Sequence, residues 1–258
     1  MCLLYYGFYV RMVKKPSLNI VIPVYNEEQE LSECITTLYR FAGVHLPDFD
    51  WIITIADNAS VDRTLSLARQ LAAKNHFLRV IHLDKKGRGR AVKFAWISFP
   101  ADYAVYMDVD LSTDLKHLPS LVRSLTRGYE IAIGSRNAHG AMVYGRSLLR
   151  TITSKGYIIL IKFFFWVHFS DAQCGFKAVT RRTVEELVPR IADDEWFFDS
   201  ELLIMGEKSG YRIYEEPVTW IDNPGSTVRV MKTAQGDIAG LWRLFITRPW
   251  AGRDHGKK

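Results

Sequence analysis

Residues Leu18 to Glu27 read LNIVIPVYNE, a short apolar and largely β-branched run that stops at a proline and turns polar within two residues. A run of that length and composition reads as a buried strand. Working outward, the same figure recurs at Trp51–Ala56, Leu78–Leu83, Tyr103–Met107 and Glu130–Gly134. Longer stretches with apolar residues at helical spacing lie between, at Glu28–Phe41, Asp62–Lys74, Gly89–Ser98 and Leu115–Arg127. Leu31, Ile35 and Leu38 form one such stripe, and Leu65, Ala68 and Leu71 another; both are read as core. Strict alternation of strand and helix predicts an α/β fold, with a mainly parallel sheet covered by helices on both faces.

In such a sheet a ligand sits beyond the carboxyl ends of the strands. Polar residues gather there in this sequence: Tyr25, Asn26 and Glu27 after the first strand, Asp57 to Asp62 after the second, Asp108-Val109-Asp110 after the fourth, and Ser135-Arg136 after the fifth. Beyond Arg136 the alternation gives way to a long aromatic helical stretch, Leu148 to Val167. A strand at Gly175–Val179, helices at Thr183–Val188 and Asp199–Lys208, and a strand at Arg212–Glu216 complete the pattern.

The 34 lysines and arginines outnumber the 28 aspartates and glutamates, which favours anionic partners. Nucleic acid is disfavoured, because no aromatic-basic recognition motif is present. Cys2, Cys34 and Cys174 are widely spaced and lack metal-ligand spacing, which fits a reducing compartment. The apolar start, residues 1–17, is broken by Arg11, Lys14 and Lys15 and is shorter than the roughly 20 residues of a spanning helix, so it reads as an interfacial or signal-like segment, with a trimmed anchor also open. Residues 231–258 interleave Trp242, Phe245 and Trp250 with Arg243 and Arg248, a pattern suited either to a membrane interface or to a core helix.

Asp108 and Asp110 carry the sharpest chemistry. Two carboxylates flanking one apolar residue at a strand end concentrate negative charge that a hard cation, Mg²⁺ or Mn²⁺, would satisfy together with diphosphate oxygens. Asp114 or Thr113 suits the cap of the following helix, and Ser60 or Asp62 the cap of the second. Asp57 is then the acceptor for a nucleobase. The basic loop Lys85 to Ala91 contains Gly87 and Gly89 ahead of a helix, which suits a diphosphate or a plain surface loop. It is neither GxGxxG nor a P-loop.

Pro23 to Glu27, Asp57 to Asp62 and Asp108 to Asp110 together resemble the family 2 glycosyltransferases. The stretches Gly134-Ser135-Arg136, Ser154-Lys155-Gly156, Asp171 to Lys177, Phe198 to Leu203 and Pro224-Gly225-Ser226 are similar to the polyprenyl-phosphate branch, nearer to its dolichyl-phosphate glucosyltransferases than to its mannose synthases. The resemblance implies a GT-A domain over residues 18–230. It places Pro23, Tyr25, Glu27 and Asp57 on the nucleoside, and Asp108, Asp110 and Ser112 on metal and diphosphate. Arg136, Arg150 and Ser154 fall on the acceptor phosphate, with Arg229 as a closing cation. Asn58 and Ala59 depart from the Asp and Gly of many relatives.

The expected reaction is inverting transfer of a hexose from a nucleotide-sugar to a polyprenyl or dolichyl phosphate, at the cytoplasmic face of a membrane by a peripheral or monotopic protein. A phosphate monoester is already largely dianionic at neutral pH and needs no general base. UDP-glucose is the expected donor, with GDP-mannose and UDP-N-acetylglucosamine open. A non-lipid acceptor and a non-catalytic nucleotide-binding module are the competing readings. An anchoring subunit or an oligomer also stays open.

Overall fold

The computed structural model describes residues 14–222 and 230–251. Nine strands are β1 (Ser17–Val24), β2 (Asp50–Asn58), β3 (Leu78–Leu83), β4 (Tyr103–Met107), β5 (Ile131–Ser135), β6 (Met142–Tyr144), β7 (Phe176–Thr180), β8 (Ile213–Pro217) and β9 (Thr219–Ile221). The helices are α1 (Leu31–His45), α2 (Thr64–Lys74), α3 (Arg88–Ser98), α4 (Leu118–Thr126), α5 (Leu148–Phe165), α6 (Arg181–Glu186), α7 (Phe198–Lys208) and α8 (Val230–Thr247).

Seven strands form one sheet in the order β3-β2-β1-β4-β7-β5-β8. All neighbours are parallel except β7, which runs antiparallel to both β4 and β5. The period of two along β1 explains the layering: Leu18, Ile20 and Ile22 pack with α1, α2 and α4 on one face, while Val21 joins α3, α5, α7 and α8 on the other. Asn19 is buried too, and its side-chain amide donates to the carbonyls of Ala95 and Phe99 at the end of α3, while its oxygen accepts from Thr54 Oγ1.

The expected elements are present, with shifted ends whose causes are local. Helix α1 starts at Leu31 rather than Glu28, because Asn26 takes a left-handed φ of 58° and the chain turns before it coils. The fourth helix opens as a 3-10 turn at Leu115–His117, whose Asp114 carboxylate accepts the Lys116 N–H. Its α-helical part follows at Leu118, with Pro119 in the first turn, where a missing N–H costs nothing. Asp62 accepts the Thr64 N–H at the start of α2, whereas Ser60 Oγ instead accepts the Asn26 N–H. The aromatic helix α5 ends at Phe165, since Trp166 is left-handed.

Two elements were not expected from the sequence. Strands β6 and β9 pair in parallel as a small second sheet, tied to the region after β4 by a bridge between Thr113 and Trp220. Helix α8 docks on the main body through Leu241 and Leu244, both buried, with Phe245 against Phe164 and Trp250 against Phe165. The C-terminal stretch is therefore part core helix, and the alternative of a wholly interfacial segment does not hold for this face. Residues 1–13 and the tail after 251 lie outside the described residues.

Candidate active site

The carboxyl ends of β1, β2 and β4 bring the expected donor residues to one edge. Asn26, Ala59 and Leu111, one beyond each of these three strands, are all left-handed, with φ of 58°, 62° and 49°. Such conformations cost about 1–2 kcal/mol for an ordinary residue and concentrate at functional sites. They turn each loop sharply, leaving Tyr25 and Asp110 at the rim with Asp57 buried behind it.

Asp110 is exposed; its carboxylate accepts the Ser112 N–H at 3.0 Å and the Ser112 hydroxyl at 2.5 Å. Ser112 thus orients the carboxylate. Asp108 is paired with Arg88, Nη2 to Oδ1 2.5 Å. Burial pushes the Asp108 carboxyl up, Arg88 pulls against it, and Asp110 adds to the rise. The Glu27 carboxyl is raised to about 7 by burial and by the surrounding Glu30, Asp110, Asp62 and Asp108. A rim that holds this many carboxylates close enough to disturb one another concentrates the negative charge that a divalent cation offsets, but among the described residues no three His, Cys, Asp or Glu side chains converge as a ready-made metal site. Gly175 completes the cradle, since a Cβ there would overlap both Asp108 Oδ2 and Arg88 Nη2.

The basic loop before α3 is held by packing and pairing within the protein. A Cβ on Gly89 would overlap Phe198, so this glycine serves close packing of α3 against α7. Arg90 pairs with Asp194 at 2.8 Å, and the Gly87 N–H is held by Asn58 Oδ1 at 2.6 Å. Lys86 lies over the Tyr25 ring, 3.1 Å from its centroid. The loop is fixed by these contacts rather than being a loose surface segment.

Asp57 is fully buried, with Oδ2 2.6 Å from His82 Nδ1. Its other oxygen, Oδ1, has no hydrogen-bond partner among the described residues. Pro23, the remaining member of the expected nucleoside set, lies in register with Ala56 beside it.

The residues expected to hold the acceptor phosphate lie after β5 and along the first turns of α5. Arg136 is gripped by Asp171 on both sides of its guanidinium, at 2.8 and 3.0 Å. Burial alone would raise the Asp171 carboxyl, but Arg136 brings it down to about 2. Arg150 pairs with Asp222 at 2.5 Å, and Ser154 is buried one turn further along α5. The sequence reading missed Arg146. It is part-buried, shares the Trp220 ring with Arg136 at 5.9 and 5.4 Å, and has no carboxylate ion pair among the described residues. Burial and the two neighbouring arginines lower its pKa, which marks it as the least compensated cation of the group. Its signal was available in the Gly145-Arg146-Ser147 step ahead of a helix start. Arg229 and the Pro224-Gly225-Ser226 turn lie outside the described residues.

The two acidic residues of α7 that a hydroxyl acceptor would need as a base are already committed. Asp199 is buried, bound by Tyr106 and ion-paired with Lys177 at 2.8 Å. Glu201 takes two bonds from Arg243 and two more from the N–H groups of Ala192 and Asp193.

A mixed sheet of this order, with paired aspartates at the end of its fourth strand, is the GT-A arrangement of nucleotide-sugar transferases. Residues 19–188 match the family model described as glycosyl transferase family 2, and the chain belongs to that family. It is 32% identical over 237 residues to glycosyltransferase AglD of Haloferax volcanii, covering 90% of this chain and 38% of that protein. It is also 32% identical over 251 residues to the dolichyl-phosphate beta-glucosyltransferase of Drosophila melanogaster, covering 90% of this chain and 76% of the relative. Among solved structures, it is similar in fold to glucosyl-3-phosphoglycerate synthase from Mycobacterium tuberculosis in complex with Mn²⁺, UDP and phosphoglyceric acid. There the TM-score is 0.66 at 17% identity, over 93% of this chain and 81% of that one.

Proposed function

We propose that this chain transfers glucose from UDP-glucose to dolichyl phosphate or a related polyprenyl phosphate, with inversion at the anomeric carbon. The observation that carries the reading is the arginine group at the acceptor end: Arg136 and Arg146 share the Trp220 ring, and Arg150 is close enough to Arg146 to repel it. Planar, permanently charged guanidinium groups suit a phosphate dianion. Asp199 and Glu201 are both neutralised by cations, so the site favours an acceptor that arrives already ionised. The relatives named for dolichyl-phosphate glucosylation support the same choice of acceptor and sugar.

Within this reading, Tyr25, Glu27 and Asp57 bind the nucleoside, and Ser112 fixes Asp110. Mg²⁺ or Mn²⁺ held by Asp108 and Asp110 would neutralise charge on the departing diphosphate. Arg136, Arg146 and Arg150 orient the acceptor phosphate for in-line attack, so catalysis is chiefly positioning and charge stabilisation. Arg229 remains our candidate for a cation that closes on the diphosphate.

A lipid acceptor places the protein at a membrane, and the outer faces of α5 and α8 supply an apolar surface for it. Leu148, Leu149, Ile152, Ile159 and Phe163 on α5 and Trp166 just after it are exposed, as are Trp242 and Ile246 on α8. Lys155 and Lys162 lie exposed among them, the mixture expected at a headgroup boundary. Among the described residues no helix is long and apolar enough to cross a membrane. The exposed faces of α5 and α8 support a peripheral or monotopic enzyme, which we place on the cytoplasmic surface.

The test is transfer of labelled sugar from UDP-glucose, GDP-mannose and UDP-N-acetylglucosamine to a polyprenyl phosphate, with Mg²⁺ or Mn²⁺, by the wild type and Asp110→Ala. Organic-extractable product from UDP-glucose alone, abolished by the substitution, is the expected result. Product from another donor would change the sugar, and no lipid product from any donor would overturn the acceptor.

A further inference from the structure

His82 stands on β3 in register with Asp57 on β2, so the two side chains leave neighbouring parallel strands on the same face of the sheet. Nδ1 approaches Asp57 Oδ2 to 2.6 Å. Two unprotonated acceptors would repel at that distance, so the imidazole carries its proton on Nδ1 and donates it to the carboxylate. On the other side of the ring, Nε2 lies 3.5 Å from Oδ1 of the exposed Asp84. One oxygen of Asp57 is therefore engaged by the protein. The other is buried and unpartnered among the described residues, a state that a native structure tolerates chiefly where a ligand supplies the donor.

We propose that His82 is a specificity-determining residue for the nucleobase, through its hold on Asp57. With Oδ2 committed to the imidazole, Asp57 offers one free oxygen to a bound base. Uracil presents a single imide N–H between two carbonyls, and one carboxylate oxygen satisfies it. Guanine presents two adjacent donors, the ring N1–H and the exocyclic amine, which are met by a carboxylate with both oxygens free. In this site the second donor would be buried without an acceptor, the kind of mismatch that gives strong discrimination. The inference rests on the nucleotide-sugar reading above and deepens it, because it assigns the choice of uridine over guanosine to a residue outside the family motifs.

The test is calorimetric titration of UDP, GDP and N3-methyl-UDP, each with Mn²⁺, into the full chain as wild type, His82→Leu and His82→Asn. The wild type is expected to bind UDP at least about ten-fold more tightly than either GDP or N3-methyl-UDP. His82→Leu frees the second oxygen, and the UDP-to-GDP preference falls by roughly ten-fold. His82→Asn keeps a donor near the position of Nδ1 and restores most of the preference, which a general loss of packing would not do. An unchanged preference in a folded His82→Leu protein, or N3-methyl-UDP binding as tightly as UDP, overturns the proposal while leaving the nucleotide-sugar reading intact. Should the leucine variant fail to fold, tight binding of N3-methyl-UDP to the wild type still overturns the proposal, because Asp57 would then not read the imide N–H, and a His82→Phe protein carries the UDP-to-GDP comparison. Binding of none of the three nucleotides by the wild type overturns the nucleotide-sugar reading itself.

Discussion

Asn26 and Ala59 stand at equivalent places on adjacent strands, each two residues beyond the register pair formed by Val24 and Asp57, and both are left-handed. They are joined across the gap: the Asn26 N–H donates to Ser60 Oγ, and the Asn26 side-chain oxygen accepts the Val61 N–H. Asparagine tolerates this conformation, whereas alanine has no local compensation. Ala59→Gly is expected to stabilise the protein by about 0.5–1 kcal/mol, the net of relieved strain and the extra unfolded-chain freedom of glycine. The midpoint of urea unfolding measures it, and a lower midpoint would show that the loop is not strained at Ala59.

The arginines of the acceptor end differ in that Arg136 also holds a buried carboxylate, whereas Arg146 has no ion pair among the described residues. Arg136→Ala leaves Asp171 buried and unpaired, so it is expected to lose about 3–5 kcal/mol of stability along with activity. Arg146→Ala breaks no ion pair among the described residues and should leave the unfolding midpoint where it was. Its KM for polyprenyl phosphate should rise roughly ten-fold, the loss of one charge-assisted contact. Equal KM values for wild type and Arg146→Ala would remove Arg146 from the acceptor site.

A pH effect is built into the docking of α8. Burial, with the nearby Asp193, pushes the Asp237 carboxyl up to about 7, and Gln173 Nε2 donates to it at 3.2 Å. The unfolded chain releases this proton near pH 4, but the folded protein keeps it until about 7. The folded state therefore binds more protons across that window, and this residue's contribution to stability declines as pH rises through it. Asp237→Asn removes the decline: it should stabilise the protein by about 1–3 kcal/mol at pH 8 and have little effect at pH 4. Thermal unfolding at both pH values gives the comparison, and equal shifts at the two would rule this origin out.

Membrane contact through α5 and α8 predicts a surface phenotype without a folding one. Phe163 and Trp242 are 74% and 62% exposed, so replacing both with serine should leave thermal stability nearly unchanged. Each large apolar side chain that enters the bilayer boundary contributes about 1.5–3 kcal/mol, so co-sedimentation with vesicles should fall by at least roughly ten-fold. Undiminished binding would move the contact elsewhere on the protein.

Much of this fold is legible in the sequence, and the reasons are physical. The buried strands β1 to β5 announce themselves because they are continuous apolar runs that end in polar residues, the pattern a parallel sheet imposes. Asp108 and Asp110 stand out only together with Pro23 to Glu27 and Asp57 to Asp62, since an Asp-x-Asp alone more often serves a capping turn. Strands β6 and β9 are not legible, since Met142, Tyr144 and Ile221 are exposed and no burial pattern marks them. His82 escapes for another reason: its importance comes from register with Asp57, a relation between strands that no local motif encodes. The partners Asp171 and Asp222 show the same limit, because a sequence names cations readily but not the carboxylates that hold them.

The reversed direction of β7 also imposes an order on assembly. Strands β1 to β4 pair with one another on the β1 side of the sheet, so this part of the ladder forms from contacts within the first part of the chain. Strand β5 has no such neighbour; it waits for β7 on one side and β8 on the other, both made after the long helix α5. Non-local pairing of this kind is slow. During synthesis, the pairings among β1 to β4 can form while β7 and β8 are still unmade, and the helices that cover the Val21 face of those strands, α5, α7 and α8, arrive only afterwards.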